Sequence, residues 1–414
     1  MWLLVSPHRM TFALGAAMLV ACSVWWTGAA FAIWNGYAPR TAIPTIELHG
    51  LVMVFGFMPF FFTGFLFTAV PKWLGIRAPT ALEISAGLSA QVAGWAVFFI
   101  GARSEDGAFS AALGGAGLSA VAFGSTALWL RFVSLVRRSS VPDRVHAVTL
   151  AAAGGVGVAT LWSVAVGVAG SRPLVVEVAT QVGLWMFVGS TFATAAHRMI
   201  PFMGATALHR LDGLRPLWLL SALLSLFGIE GLFAGADAAG MRLSASIAVA
   251  RVAFELAAGL SLSALAWRWA LLLPLRIRLV AMLYAGFAWL AASFVLAGLA
   301  HWYGSALAAN WNAAPLHALT MGFLGSTLLA MVTRIICAQA GRTVVADDVL
   351  WRLFWMLQFA ILLRLGASMA THFVNRLQWP LIAAGAAVWS LLWLTWAWRY
   401  VPWLTRPRQD GRPG

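Results

Sequence analysis

Leu51-Val52-Met53-Val54-Phe55-Gly56-Phe57-Met58-Pro59-Phe60-Phe61-Phe62-Thr63-Gly64-Phe65-Leu66-Phe67-Thr68-Ala69-Val70 carries no charge, and Pro71-Lys72-Trp73 closes it. At about 1.5 Å per residue, a helix of this length crosses the ~30 Å hydrocarbon core of a bilayer. Lipid offers no partner to a backbone N–H or C=O, so a spanning segment satisfies its own groups as a helix or joins a closed barrel. A barrel strand is about 10 residues long and alternates in polarity. This run does neither. The same reading along the chain gives spans near 10–33, 47–70, 82–101, 109–133, 146–169, 174–196, 216–235, 245–271, 279–301, 313–337, 350–370 and 380–402. The expected fold is all-α, a polytopic membrane bundle of about 12 transmembrane helices.

The composition agrees. Of 414 residues, 62% are hydrophobic and 10% are charged. A water-soluble surface cannot be built from that balance. The connections are short, so residues 1–403 read as one transmembrane domain and 404–414 as a polar cytoplasmic tail, expected to be disordered. His8 and Arg9 before an apolar run, with Ala30-Phe31-Ala32 at its end, loosely resemble a signal peptide. The run from Met10 to Ile33 is longer than a typical signal core and is expected to be the first span. Cys22 and Cys337 lie far apart inside apolar runs and predict no disulfide framework.

The net charge of +14 does not point to nucleic acid, because the basic residues lie in short loops and form no stripe. They set orientation instead. With the N-terminus placed in the cytoplasm, twenty of the 27 Lys and Arg fall on that side, and five (Arg40, Arg103, Arg172, Arg242, Arg376) fall on the other. Arg251 and Arg364 lie within runs. Both termini are therefore expected inside.

Orientation sorts the histidines. His8, His146, His197 and His209 fall toward the inner face; His49, His301, His317 and His372 fall toward the outer. His49 opens the second run and His317 lies about one turn into the tenth, at matched shallow depth. Two neutral imidazoles so placed suit the two faces of one haem iron, a low-spin, electron-transferring centre. Gly50, Gly56, Gly64, Gly322 and Gly325 follow them and leave room for a flat ring or for a neighbouring helix. Arg376, on the outer side between the last two runs, is a candidate partner for a haem propionate or a plain loop residue. Met53 and Met321 stand one turn beyond each histidine. A His/Met pair suits Cu(I), but methionine at this frequency favours core packing. His301, His372, His197 and Arg198 are further candidates, Arg198 toward lipid phosphate or a second haem.

The stretch His49-Gly50-Leu51-Val52-Met53-Val54-Phe55-Gly56-Phe57-Met58-Pro59, continuing to Val70-Pro71-Lys72-Trp73-Leu74-Gly75, resembles the second helix of the NnrS family. The run from His317-Ala318-Leu319-Thr320-Met321-Gly322 to Ala340-Gly341-Arg342 resembles its later histidine helix, and Arg198-Met199-Ile200-Pro201-Phe202 its Arg-x-x-Pro-Phe segment. That resemblance implies a multi-pass protein of the bacterial inner membrane, containing haem b and copper, with a role in nitric-oxide metabolism and tolerance of nitrosative stress. It implies nitric oxide or a related small molecule as partner, and an electron donor. The His49 helix is also similar to the second helix of haem–copper oxidase subunit I, whose low-spin haem is held from helices two and ten. A haem–copper-oxidase-like arrangement is therefore expected. Departures limit the transfer. The family's His-x-His-Glu has Leu51 and Val52 at its last two positions, and a histidine common before the later Gly-Arg pair is Gln339. Ser190 stands where the oxidases carry a helix-six copper ligand, and the seventh run holds no histidine. An oxidoreductase acting on nitric oxide remains compatible with these residues; oxygen reduction does not.

Among the remaining intramembrane charges, Arg251 and Glu255 stand at i, i+4 and are expected to neutralise each other. Glu230 and Arg364 have no sequence partner and read as packing pairs or as a proton path. The competing functional readings are a secondary transporter of about twelve helices, which predicts a repeat between halves, and an accessory protein without cofactor. No repeated motif is visible.

Overall fold

The computed structural model describes residues 2–37, 41, 43–205, 216–303, 311, 313–373 and 375–411, excepting the side chains of 200–205, 371–373 and 375. Twelve helices are long and apolar enough to cross a membrane. They are α1 (Pro7–Trp34), α2 (Thr45–Trp73), α3 (Ala81–Gly101), α4 (Gly107–Arg138), α5 (Val145–Ala169), α6 (Pro173–Met199), α7 (Leu217–Ala238), α8 (Ala245–Leu272), α9 (Arg278–Trp302), α10 (Ala313–Gln339), α11 (Asp348–Ala370) and α12 (Gln378–Leu404). Each expected span is present. The largest displacement is in α4, which runs on to Arg138 because nothing after Arg131 stops it: Phe132 to Val136 is apolar and basic residues suit a helix C-terminus.

Sequence neighbours pack side by side: α3 on α4, α4 on α5, α8 on α9 and α11 on α12, with α1 against α12 closing the bundle. The most apolar windows of α2 and α10 are 78% buried, whereas those of α1, α7 and α8 are 33% buried. The two helices that carry His49 and His317 therefore occupy the middle. The outer helices expose large apolar side chains, among them Trp398 (85%) and Leu82 (78%). Water would penalise that surface, whereas lipid matches it.

Three central helices are irregular. In α2, the first segment ends at Phe55, and helix resumes at Met58. Pro59 has no N–H to donate, and its ring clashes with the carbonyl four residues back, which places the break there. α6 widens to π geometry over Gly183–Gly189, and α10 does so over Ala318–Gly325, starting one residue after His317. π-turns of this kind recur at functional sites.

The tail is packed, contrary to expectation, over its described part. Arg408 donates to the Gln339 carbonyl, and Gln409 N–H donates to the Ala340 carbonyl. Asp410 chelates Arg408 and lies against Gly341, whose φ of +68° makes the turn after α10. At the same face, buried Arg9 donates to the carbonyls of Leu404 (3.2 Å) and Arg406 (2.7 Å), satisfying the C-terminus of α12. These contacts hold the start and end of the chain together.

Candidate functional site

His49 sits in the first turns of α2, at the face away from the termini. Its ring stacks on Trp26 of α1, with centroids 4.0 Å apart and planes 21° from parallel. Its Nδ1 is buried and has no hydrogen-bond partner. An imidazole nitrogen left unpaired inside a protein forfeits about 1–3 kcal/mol, so its position calls for an explanation. Gly50 beside it leaves ordinary contact distance to Thr180 of α6.

His317 is different. Its Nδ1 lies 2.7 Å from the Ala313 carbonyl one turn back. A carbonyl only accepts, so Nδ1 carries the proton and Nε2 presents its lone pair. This is the arrangement that orients a metal-ligating imidazole. The π-turn that follows displaces the rest of α10 relative to this ring.

The two imidazoles are brought close enough to act on each other electrostatically, and Arg364 of α11 acts on both. The turns that carry them are not packed as a helix pair. α2 lies on α1 and α6, while the first turn of α10 lies on α9 and α11. Arg364 donates to Ser368 Oγ at 2.8 Å and, among the described residues, faces no carboxylate. Arg376 lies exposed in a short 3-10 turn after α11. From the sequence Arg364 reads as a packing residue or part of a proton path and not as a neighbour of the histidines, because nothing local indicates which helices its side chain reaches.

The glycines are mostly occupied by neighbours. A Cβ on Gly64 would stand 2.4 Å from Thr11 Oγ1, and one on Gly322 would stand 2.6 Å from Trp289 Cγ. They permit helix contact rather than room for a ring. Trp289 donates in turn to Gln358 of α11, which donates to Ser326 of α10, tying α9, α10 and α11 together. Met53 and Met321 pack against the hydrophobic core.

Between α6, α7 and α10 the centre is aromatic. Phe323 meets Phe192 and stacks on Phe227 of α7, which also contacts Trp185. Ser190 lies buried beside this cluster. Among the described residues, no three His, Cys, Asp or Glu side chains gather as a metal-holding group. At the face away from the termini, a cleft of about 640 Å³ opens near the start of α2, with Glu47, Glu105 and Arg172 in its wall.

The remaining candidates lie elsewhere. His197 meets His146 of α5 at 3.0 Å, and Arg198 contacts His146 at 3.4 Å while lying over the Trp73 ring at 4.4 Å. The His146–His197 pair escaped sequence reasoning because 51 residues separate its members. His301 bonds Glu255. Glu230 and Arg364 do not meet: Glu230 approaches Arg251, which also takes up Glu255 as the i, i+4 spacing predicts. The His372 side chain, His209 and Arg40 lie outside the described residues, as do the Pro201 and Phe202 side chains.

A family model described as NnrS protein matches residues 2–408, nearly the whole chain. The chain belongs to the NnrS family. Membership of NnrS fits a nitric-oxide-related protein of a lipid bilayer, and the twelve apolar helices agree with a multi-pass arrangement. No curated protein matches the chain.

Proposed function

We propose that this NnrS protein binds haem b between α2 and α10 and serves nitric-oxide metabolism in the bacterial inner membrane, with both termini in the cytoplasm. The positive-inside bias supports that orientation. The cofactor fits the donor set in three respects. His317 presents Nε2 with its tautomer already fixed. His49, beside it, has a buried nitrogen without a partner. Arg364, within electrostatic range of both, is a cation with no carboxylate facing it among the described residues, and a haem propionate would supply that anion.

The observation that carries the reading is that two half-buried imidazoles and one guanidinium without a facing carboxylate among the described residues lie within electrostatic range of one another. His49 and His317 would hold the iron, Arg364 would meet a propionate, and Arg376 would meet charge nearer the water. A bis-imidazole haem supplies one-electron transfer. The two histidines are not equivalent. Ala313 anchors His317, whereas His49 is held by its stack on Trp26. His49 is thus the less firmly held of the two side chains. The cleft beside Glu47 opens on the same face.

The test is a reduced-minus-oxidised absorbance spectrum of the purified protein beside His49→Ala and His317→Ala. A low-spin b-type spectrum in the wild type, lost in both variants, is expected. A colourless wild type from haem-replete cells sinks the reading.

A further inference from the structure

A second group of buried ionisable side chains lies in α7, α8 and α9, and the haem reading does not use it. Arg251 is at its centre. Its Nε donates to Glu255 Oε1 at 2.8 Å, its Nη1 donates to Asp237 Oδ2 at 2.8 Å, and its Nη2 lies 3.5 Å from Glu230 Oε1. Its guanidinium also lies over the Phe233 ring at 4.9 Å. His301 Nδ1 reaches the other oxygen of Glu255 at 2.8 Å.

Burial is graded across the group. Glu255 is 0% exposed, and Glu230 and Arg251 are 4% exposed. The side chains of Asp237 and His301 are 46% and 21% exposed. The open end lies toward the face away from the termini, because Asp237 and His301 are within two residues of the ends of α7 and α9.

The charges do not balance as written. Glu230, Glu255 and Asp237 stand against one guanidinium, a net charge of minus two if all three are ionised and His301 is neutral. An uncompensated charge in a low-dielectric interior is expensive, and the usual remedy is to bind a proton. Asp237 is open to water, which screens its charge, so the buried excess is one, and Glu230 is the natural site for the proton that removes it. Its contact to Arg251 is the longest of the three, and its Oε2 is buried without a partner among the described residues.

We propose that Glu230 is a proton-binding site, in the half of α7 that leads to the face away from the termini, where Asp237 and His301 are open to water. The groups that face it are Glu255 and Arg251 from α8, His301 from α9 and Asp237 from its own helix. α6 packs on the other side of α7 and contributes no titratable neighbour to Glu230 among the described residues. Glu230 and its neighbours stand apart from His49 and His317, so the proposal does not depend on haem.

Infrared spectroscopy of the full chain in lipid, with carbon-13 in the glutamate carboxyls, tests it. A protonated-glutamate carbonyl band is expected near neutral pH, shifted by the label and lost as pH rises. It should vanish in Glu230→Gln and persist in Glu47→Gln. Glu230→Gln should fold normally, since a neutral amide mimics the protonated acid. A wild type without a protonated-glutamate band overturns the proposal, as does a band that survives Glu230→Gln. If Glu230→Gln does not accumulate, the labelled wild type decides alone, by presence or absence of a band that titrates.

Discussion

Two buried polar regions sit in the same bundle and solve opposite problems. Around Arg251, every charge has a counter-charge within hydrogen-bonding reach or just beyond it, and what is left over is negative. Around His49 there is a stacked indole, with a second imidazole and a guanidinium within electrostatic range; the guanidinium bonds a serine hydroxyl and faces no carboxylate among the described residues, and what is left over is positive. The first region is complete apart from protons. The second is incomplete in a way that an anionic, metal-containing group would complete. An internal network of charges reads as structure or proton storage; an unpartnered donor set reads as a place for something else.

The largest effect that would break this contrast is on the Arg251 side. Arg251→Met removes the cation that Glu230, Glu255 and Asp237 share, and among the described residues His301 alone remains beside them. Breaking a buried ion pair from one side costs about 3–5 kcal/mol. Arg251→Met should therefore unfold at markedly lower temperature in detergent, at neutral pH. Acidification should recover part of the loss, because protonating the stranded carboxylates removes the repulsion. A variant as stable as the wild type would mean that the cluster is not an ionic core.

A middle-sized effect concerns how the histidine helix is held. α10 is fixed by packing and indole hydrogen bonds more than by charge. Gly322→Val puts a branched side chain where a single Cβ already falls 2.6 Å from Trp289 Cγ. Overpacking of that kind costs about 1–3 kcal/mol. It should also disturb the Trp289–Gln358–Ser326 chain, visible as a change in tryptophan fluorescence. Trp26→Ala comes next. It removes the stack on His49, with a loss of about 0.5–1.5 kcal/mol beyond area burial. It should loosen haem retention while leaving the Arg251 cluster untouched. Equal haem content in Trp26→Ala and wild type would show that the indole does not hold the His49 ring.

Much of this was legible in the chain. The spans follow from uninterrupted apolar runs, and the break in α2 follows from Pro59. Orientation and depth single out His49 and His317, the two residues of the proposed haem site. The Arg251–Glu255 contact is local, so the helical repeat reveals it. What stayed hidden depends on helix rotation. α7 is apolar on every side, so its sequence does not say which face Glu230 occupies or that Arg251 of α8 is its neighbour. Trp26 and His49 meet across two helices, as do His146 and His197. Arg364 reads in sequence as a lone charge in a span, and only the packing of α11 brings it within electrostatic range of both imidazoles. The π-turns in α6 and α10 likewise have no sequence signal beyond glycine.

The smallest expected effect is the most informative. Arg364→Met removes a cation that no carboxylate offsets among the described residues, so the haem-free protein has little to lose. Its unfolding midpoint should be unchanged to within ~0.5 kcal/mol or higher, opposite in sign to Arg251→Met. The haem-loaded protein should behave differently, because Arg364 would then face a propionate in a charge-assisted bond. Its haem should dissociate faster to an apo-globin scavenger, and the difference in stability between loaded and haem-free protein should shrink. If Arg364→Met destabilises both forms equally, the guanidinium is a packing element and the comparison fails. If it destabilises only the loaded form, the same kind of residue serves as a core charge in α8 and as a cofactor's counter-ion in α11, distinguished by whether its neighbours already carry the opposite sign.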